Sequence, residues 1–277
     1  MNIHLVTLVG GSHVKQLAYM LDHYRKIGIE SFIINVHVER PDDPVLSEAK
    51  QIVSDFGCEI ASVIVGKWSF AIHQEVYNKS RSGNADDWFL VADLDEFQVY
   101  PGNLFNIIEE CEREGYEYIR GCFIDRIAAD GSFPELRLDK PIEDQMPLGC
   151  IFTYRILGGH PLKVVAAKRH VTLGPGNHQP VNGIGCPITD CFVQVHHYKW
   201  VREITERLEY LANTASEASK YTLECRKFIE YYRANNGRID IADPELYVSE
   251  CKPEYKYWEQ VKKAVSAYIS SQRSSQL

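Results

Sequence analysis

No Cys-X-X-Cys pair occurs in the chain, whose eight cysteines stand singly at 58, 111, 122, 150, 186, 191, 225 and 251. A structural zinc cluster draws on closely spaced ligand pairs, so this spacing argues against one. Several cysteines sit in apolar surroundings, such as Gly121-Cys122-Phe123 and Cys191-Phe192-Val193. Buried free thiols in a reducing, cytoplasmic compartment fit that better than a disulfide framework. No apolar run approaches the ~20 residues of a membrane-spanning helix. Residues 1–9 are apolar but lead straight into Gly10-Gly11, as a first strand does and a signal peptide does not. An excess of positive charge is missing too. Thirty Lys and Arg face 38 Asp and Glu, for a net charge of −8, and non-specific nucleic-acid binding needs the opposite balance. The glycines at 10 and 11 have no third partner, and no Walker loop exists, which weakens a dehydrogenase or kinase reading. Internal repeats and low-complexity segments are absent as well.

What is present is ordinary for a soluble globular protein: 277 residues, 45% hydrophobic and 25% charged. That length supports one large domain or one domain with an appendage. Ile3 to Val9 reads as a strand. His13 to Ile27 reads as a helix, with Val14, Leu17, Ala18, Leu21 and Tyr24 on one face. Ser31 to Val38 is a second strand, Val45 to Phe56 a second helix, and Glu59 to Val65 a third strand. Trp68 to Ser80 is helical and Trp88 to Ala92 is the fourth strand. This alternation, with short links, predicts an α/β fold with a mostly parallel sheet flanked by helices.

The fourth strand carries the most informative stretch, Trp-Phe-Leu-Val-Ala-Asp-Leu-Asp-Glu-Phe at 88–97. Phe89 to Ala92 reads as a strand buried on both faces. It runs into Asp93, Asp95 and Glu96. If the strand continues, Asp93 and Asp95 share one side. Paired carboxylates there need water, hydrogen bonds or a cation, and hard oxygen ligands suit Mg²⁺ or Mn²⁺. In parallel sheets ligands bind beyond the carboxyl ends of the strands, where Gly10 and Gly11 let backbone approach a ligand.

Leu104 to Glu114 is a helix, Tyr118 to Ile124 a strand, Pro134 to Pro147 a long loop, and Cys150 to Ile156 a further strand. A second concentration of polar chemistry follows the strand Lys163 to Lys168. His170, His178, His196 and His197 fall within 28 positions, out of ten histidines in all. Adjacent histidines on a strand point to opposite faces, so one of His196 and His197 reaches a given metal. Val193 and Val195 share a face with His197. From Val201 the chain is helical: Val201 to Leu223 carries Ile204, Leu208, Leu211, Ala215 and Ala218 on one face, the helix continues to Asn235, and Tyr255 to Ile269 is the last helix before a frayed polar tail. This block packs on the rest, or offers Lys256, Lys262 and Lys263 to a membrane surface or partner.

Strand-Asp-Leu-Asp-Glu-Phe resembles the Asp-X-Asp motif of GT-A-fold glycosyltransferases, and its ending resembles the family 2 and family 92 groups in particular. His196-His197-Tyr198-Lys199-Trp200 resembles the segment that completes their site, and the two blocks together are more specific than either alone. The resemblance covers roughly residues 1–200. It implies a GT-A-like catalytic domain at 1–200 and a C-terminal helical extension at 201–277. It implies a metal-dependent enzyme that moves a sugar from a nucleotide-diphosphate donor, such as a UDP-sugar, to a carbohydrate or glycoconjugate acceptor, with inversion. Asp95 would hold Mn²⁺ or Mg²⁺, Asp93 would contact the ion or the ribose, and His197 would complete the shell, with His178 and His196 as alternatives. Lys199 would face the diphosphate. Gly10, His37 and Lys67 (or Arg81) would lie along the donor. A general base would come from Asp125, Asp130, Glu135, Asp144 or His178, with Asp125 first. The rivals are a metal-dependent phosphohydrolase or nucleotidyltransferase using the same carboxylates, and a binding module with a decayed site.

Overall fold

The structure, a computed structural model, describes residues 1–214, 220–252 and 254–274. The chain divides into two compact units, one of residues 1–122 with 162–195 and one of 123–161 with 196–277. The helices after residue 200 thus group with a segment from the middle of the chain, not by themselves.

Unit 1 is the α/β part. Its strands and helices alternate: β1 (Ile3–Gly10), α1 (Gln16–Lys26), β2 (Ser31–Val38), α2 (Pro44–Asp55), β3 (Ile60–Val65), α3 (Phe70–Ser80) and β4 (Trp88–Val91). They build the parallel ladder β3-β2-β1-β4, the order of a doubly wound nucleotide-binding half. β5 (Glu96–Val99) and α4 (Leu104–Glu114) come next, then β6 (Tyr118–Ile127), whose first residues belong here. β8 (Leu162–Lys168) lies antiparallel on β4 and on the start of β6. β9 (Val193–His197) also begins in this unit and pairs with β5.

Local chemistry sets the helix ends. Asp43 caps α2 by accepting from Val45 N at 3.0 Å, with Pro44 at the first helical position. Ser69 caps α3 through Ile72 N at 3.2 Å, and this moves the helix start from the expected Trp68 to Phe70. Asn103 caps α4, which stops at Gly115 with φ 75°. The core under α3 joins Val6, Leu8, Phe89, Val91 and Val164 to Tyr77. Arg81, at the helix end, is buried and gives hydrogen bonds to the carbonyls of Tyr77, Lys168 and Val171. It is therefore a clamp on the end of β8, not a phosphate ligand.

Unit 2 holds the second half of β6, α5 (Ile142–Gln145), β7 (Leu148–Cys150) and β10 (Ser249–Glu250), with α6 (Arg202–Thr214), α7 (Lys220–Ala234) and α8 (Trp258–Ser274). β6, β7 and β10 pair antiparallel in that order. The expected strand Cys150 to Ile156 is instead three residues of β7 followed by a π-helical turn, Thr153–Leu157. A short apolar run reads alike for a buried strand and a buried helix; here the Asp125 carboxylate takes the Thr153 N–H at 2.7 Å and fixes the turn. The core is aromatic: Trp200 stacks on Phe228 at 5.3 Å, and Phe152 meets Trp200 edge-on at 4.9 Å. Ala215 and Ala218 of the expected helix face lie outside the described residues, as do residues 275–277. The last helix starts at Trp258, later than expected, and runs to Ser274 through the start of the tail expected to fray. No helix among the described residues is long and apolar enough to cross a membrane.

Candidate functional site

β4 ends at Val91, so Asp93 and Asp95 do not alternate along a strand. Residues 93–96 form a turn closed by Glu96 N on Asp93 O at 3.0 Å, and Glu96 opens β5. A turn brings its first and fourth residues together. The carboxylates that converge are accordingly Asp93 and Glu96, not the expected Asp93 and Asp95. Their shared partner is Lys163 on β8, only 2% exposed, with Nζ 2.7 Å from Asp93 Oδ2 and 2.8 Å from Glu96 Oε1. Asp93 Oδ1 meets His73 Nε2 at 2.9 Å and accepts from Tyr77 Oη at 2.8 Å, both on α3. Burial alone would raise the Asp93 carboxyl, but Lys163 and His73 outweigh it and hold it well below the ordinary carboxylate range. Burial likewise opposes the Lys163 ammonium, and Asp93 and Glu96 more than offset that, so it stays protonated. The Asp93 side chain remains 29% exposed, so the cluster opens on one side.

Unit 1 also holds the other donor-site candidates, of which His37 reaches this cluster through Trp68 and His73. Gly10 pairs with His37 in the β1–β2 ladder, and a Cβ there would meet His37 O at 3.1 Å. His37 is buried, not the solvated strand-end side chain its position suggests. Its ring and that of His73 flank Trp68 edge-on, at 5.2 and 5.8 Å. His37 Nε2 and His73 Nδ1 are buried and have no hydrogen-bond partner among the described residues. Two orphaned imidazole nitrogens in one aromatic row carry a desolvation cost that a ligand or water would relieve. Lys67 is exposed, just beyond β3. His178 Nδ1 faces Leu162 O at 2.8 Å, beside Lys163 in sequence. His170 pairs with Glu117 at 2.8 Å, a surface contact.

Unit 2 places the remaining candidates. Asp125 is fully buried and accepts four hydrogen bonds: from Thr153 N and Oγ1 at 2.7 Å each, Trp200 Nε1 at 2.9 Å and His197 Nδ1 at 3.0 Å. Burial pushes its carboxyl up, and His197 and Thr153 overcome that and hold it below its usual value. A carboxylate sealed among four donors cannot reach an acceptor hydroxyl, so the expected base is a structural anchor. It also fixes His197 with the proton on Nδ1, the arrangement by which second-shell carboxylates orient histidines. His196 is held elsewhere, by Arg126 at 3.0 Å. Lys199 lies over the rings of Trp200 and Tyr221 at 5.2 and 5.7 Å. The other proposed bases are paired at the surface: Asp130 with Ser132, Glu135 with Arg202, Asp144 with Lys252.

Among the described residues no group of three or more His, Cys, Asp and Glu is gathered to hold a metal. Asp93 does not suit a divalent ion, because its charge is already offset by an ammonium. Asp95 stands half-buried in the same turn. Sequence reasoning missed Lys163, His73, Tyr77 and Glu96 as members of the cluster. A lysine opening the otherwise apolar run Val164-Val165-Ala166-Ala167 was the available signal, since lysines are buried only with partners.

No family model matches the chain, and no curated protein matches it in sequence. Among solved structures it is similar to a protein described as a glucose-1-phosphate thymidylyltransferase from Bacillus anthracis, in complex with a sucrose. The two are 10% identical with a TM-score of 0.30, over 95% of this chain and 94% of that one. TarS from S. aureus is 10% identical with a TM-score of 0.36, over 88% of this chain and 77% of that one. Mannose-6-phosphate isomerase from Helicobacter pylori is 12% identical with a TM-score of 0.29, over 52% and 65%. Overlaps this loose carry no argument about activity.

Proposed function

We propose that unit 1 binds a nucleotide-sugar and that the chain is a glycosyltransferase acting on it. The observation that carries this reading is the cluster Lys163–Asp93–Glu96–His73 at the carboxyl end of β4. It stands beyond a parallel ladder of order β3-β2-β1-β4, where such sheets take their ligands. The row His37–Trp68–His73, with its two orphaned nitrogens, would receive the nucleoside: the Trp68 ring offers a stacking surface, and the imidazoles offer polar atoms to a base or ribose edge. Lys163 would hold Asp93 ionised and immobile beside the ribose. Asp95 would carry a divalent cation shared with the donor's diphosphate, since Mg²⁺ and Mn²⁺ accept one or two carboxylates plus phosphate oxygens. Such an ion offsets the charge on a leaving nucleoside diphosphate.

Calorimetric titration with UDP, with and without Mn²⁺, tests the reading on the wild type and on Asp95→Ala. The expected result is binding that Mn²⁺ strengthens and that Asp95→Ala loses, at unchanged thermal midpoint. Absence of binding for UDP, GDP and other nucleoside diphosphates under either metal would refute it. Release of phosphate or pyrophosphate in place of nucleoside diphosphate would instead mark a phosphohydrolase or nucleotidyltransferase.

A further inference from the structure

Three of the cysteines meet inside unit 1. Cys111 lies in the last turn of α4, and Cys186 and Cys191 lie in the segment that leads into β9. Backbone bonds bring them together around the start of β6. Tyr116 N donates to Cys111 O at 2.8 Å as the chain leaves α4. Residue 185 runs beside Tyr118, and Cys186 N donates to Tyr118 O at 2.9 Å. All three cysteines are free and buried, Cys111 at 1% and Cys186 at 3% exposure.

The two thiols of Cys111 and Cys186 are not equivalent. Protonated, the Cys186 sulfur gives its hydrogen to Pro187 O at 3.8 Å. Ionised, it accepts from the Cys111 thiol and from the Cys191 N–H. Those bonds, the one from Cys111 first, hold the Cys186 thiol below its ordinary value against burial and the charge of Asp190, while the Cys111 thiol is pushed up. The thiolate is the nucleophile, so Cys186 is the sulfur that reacts and Cys111 the one beside it.

We propose that Cys186 and Cys111 form a peroxide-sensitive pair that closes to a disulfide within unit 1. The Cys186 thiolate attacks one oxygen of hydrogen peroxide. The O–O bond breaks, and the departing hydroxide takes up the proton that Cys186 released, leaving water and a sulfenic acid on Cys186. The Cys111 sulfur then attacks the Cys186 sulfur. The S–S bond forms, the S–O bond breaks, and the second hydroxide leaves as water with the Cys111 proton. Two thiols and one peroxide thus give one disulfide and two waters. Burial of both residues selects this small oxidant over a glutathione disulfide. Cys191 contributes its N–H, and its thiol is left out of the pair. The bond ties the end of α4 to the approach to β9 and closes a long stretch of chain, which stabilises by restricting the unfolded state. The inference does not depend on the ligand of unit 1.

Mass spectrometry tests it on the full chain, treated folded with a small excess of hydrogen peroxide, then unfolded, alkylated and digested without reduction. The expected result is an intact mass lower by two hydrogens, two of the eight cysteines protected from alkylation, and one cross-linked peptide joining Cys111 to Cys186. Dithiothreitol reverses all three. The thermal midpoint of the oxidised chain is expected to rise by several degrees and to return on reduction. Cys111→Ser is expected to stop at the sulfenic acid on Cys186, which dimedone captures, and Cys191→Ser to leave the yield of cross-link unchanged. Absence of a cross-link in the folded wild type, another pairing in its place, or a midpoint that fails to rise overturns the proposal. So does a folded Cys111→Ser chain in which dimedone finds nothing at Cys186.

Discussion

Two aspartates at strand ends face the same problem in opposite ways. Asp93 in unit 1 is neutralised by a buried ammonium and remains open on one side. Asp125 in unit 2 is closed off completely and held by His197 and three donors that bear no charge. A carboxylate that must meet a ligand needs access and a fixed charge partner. One that must hold a fold needs all its lone pairs filled. The difference lies in the neighbours, and it decides which aspartate can be functional.

The largest expected effect is on the open one. Lys163→Met leaves Asp93 and Glu96 close together without the ammonium between them. Removing one partner of a buried ion pair costs about 3–5 kcal/mol, and urea unfolding of the full chain measures it. Adding Asp93→Asn removes one of the stranded charges and should recover part of the loss. If Lys163→Met proves neutral, Lys163 is not what stabilises Asp93 and the contrast with Asp125 collapses.

Next is the sealed one. Asp125→Asn keeps the shape but turns an amide NH₂ toward a group that can only donate, Trp200 Nε1 if it takes the Oδ1 place or Thr153 N if it takes the Oδ2 place. Each buried donor left unmatched costs about 1–3 kcal/mol. The loss should appear in stability together with a changed Trp fluorescence, and UDP binding by unit 1 should survive in the molecules that remain folded. Loss of UDP binding at full stability would return Asp125 to the active machinery.

The sequence made the open site half legible. An apolar strand running into carboxylates marks a place where charge must be compensated, and that place is correct. The pairing within it was not readable, because strand alternation was extended through a turn: Glu96, not Asp95, folds back toward Asp93. Nor could spacing place Lys163, 70 residues further on. The β/α order of unit 1 was legible because short, continuous apolar runs alternate with segments of helical period. Unit 2 was less so. Its core joins Phe133, Phe152, Trp200 and Phe228 from separate stretches, and no local pattern connects them.

The smallest effect concerns His37. Burial pulls its pKa below the ordinary value, partly opposed by Gly66 and by the charges of Glu39 and Asp43. In the folded chain the ring therefore stays neutral at a pH where the unfolded chain takes up a proton. The sign follows: the unfolded state binds more protons below its own pKa of about 6.5, so stability rises with pH up to that point and falls as the solution is acidified through it. Asp93 and Asp125, both depressed, add their own loss only further into acid, as pH falls through their folded values. His37→Asn should flatten the upper part of this profile, between about pH 7 and pH 5, and leave the acid part unchanged. Titrating stability in a saturating nucleoside diphosphate sharpens the contrast between the two units. If His37 Nε2 meets that ligand as a neutral acceptor, the ligand's stabilising effect should hold while the folded ring stays neutral and weaken only as pH falls below its lowered pKa, while a ligand bound elsewhere leaves the two profiles parallel.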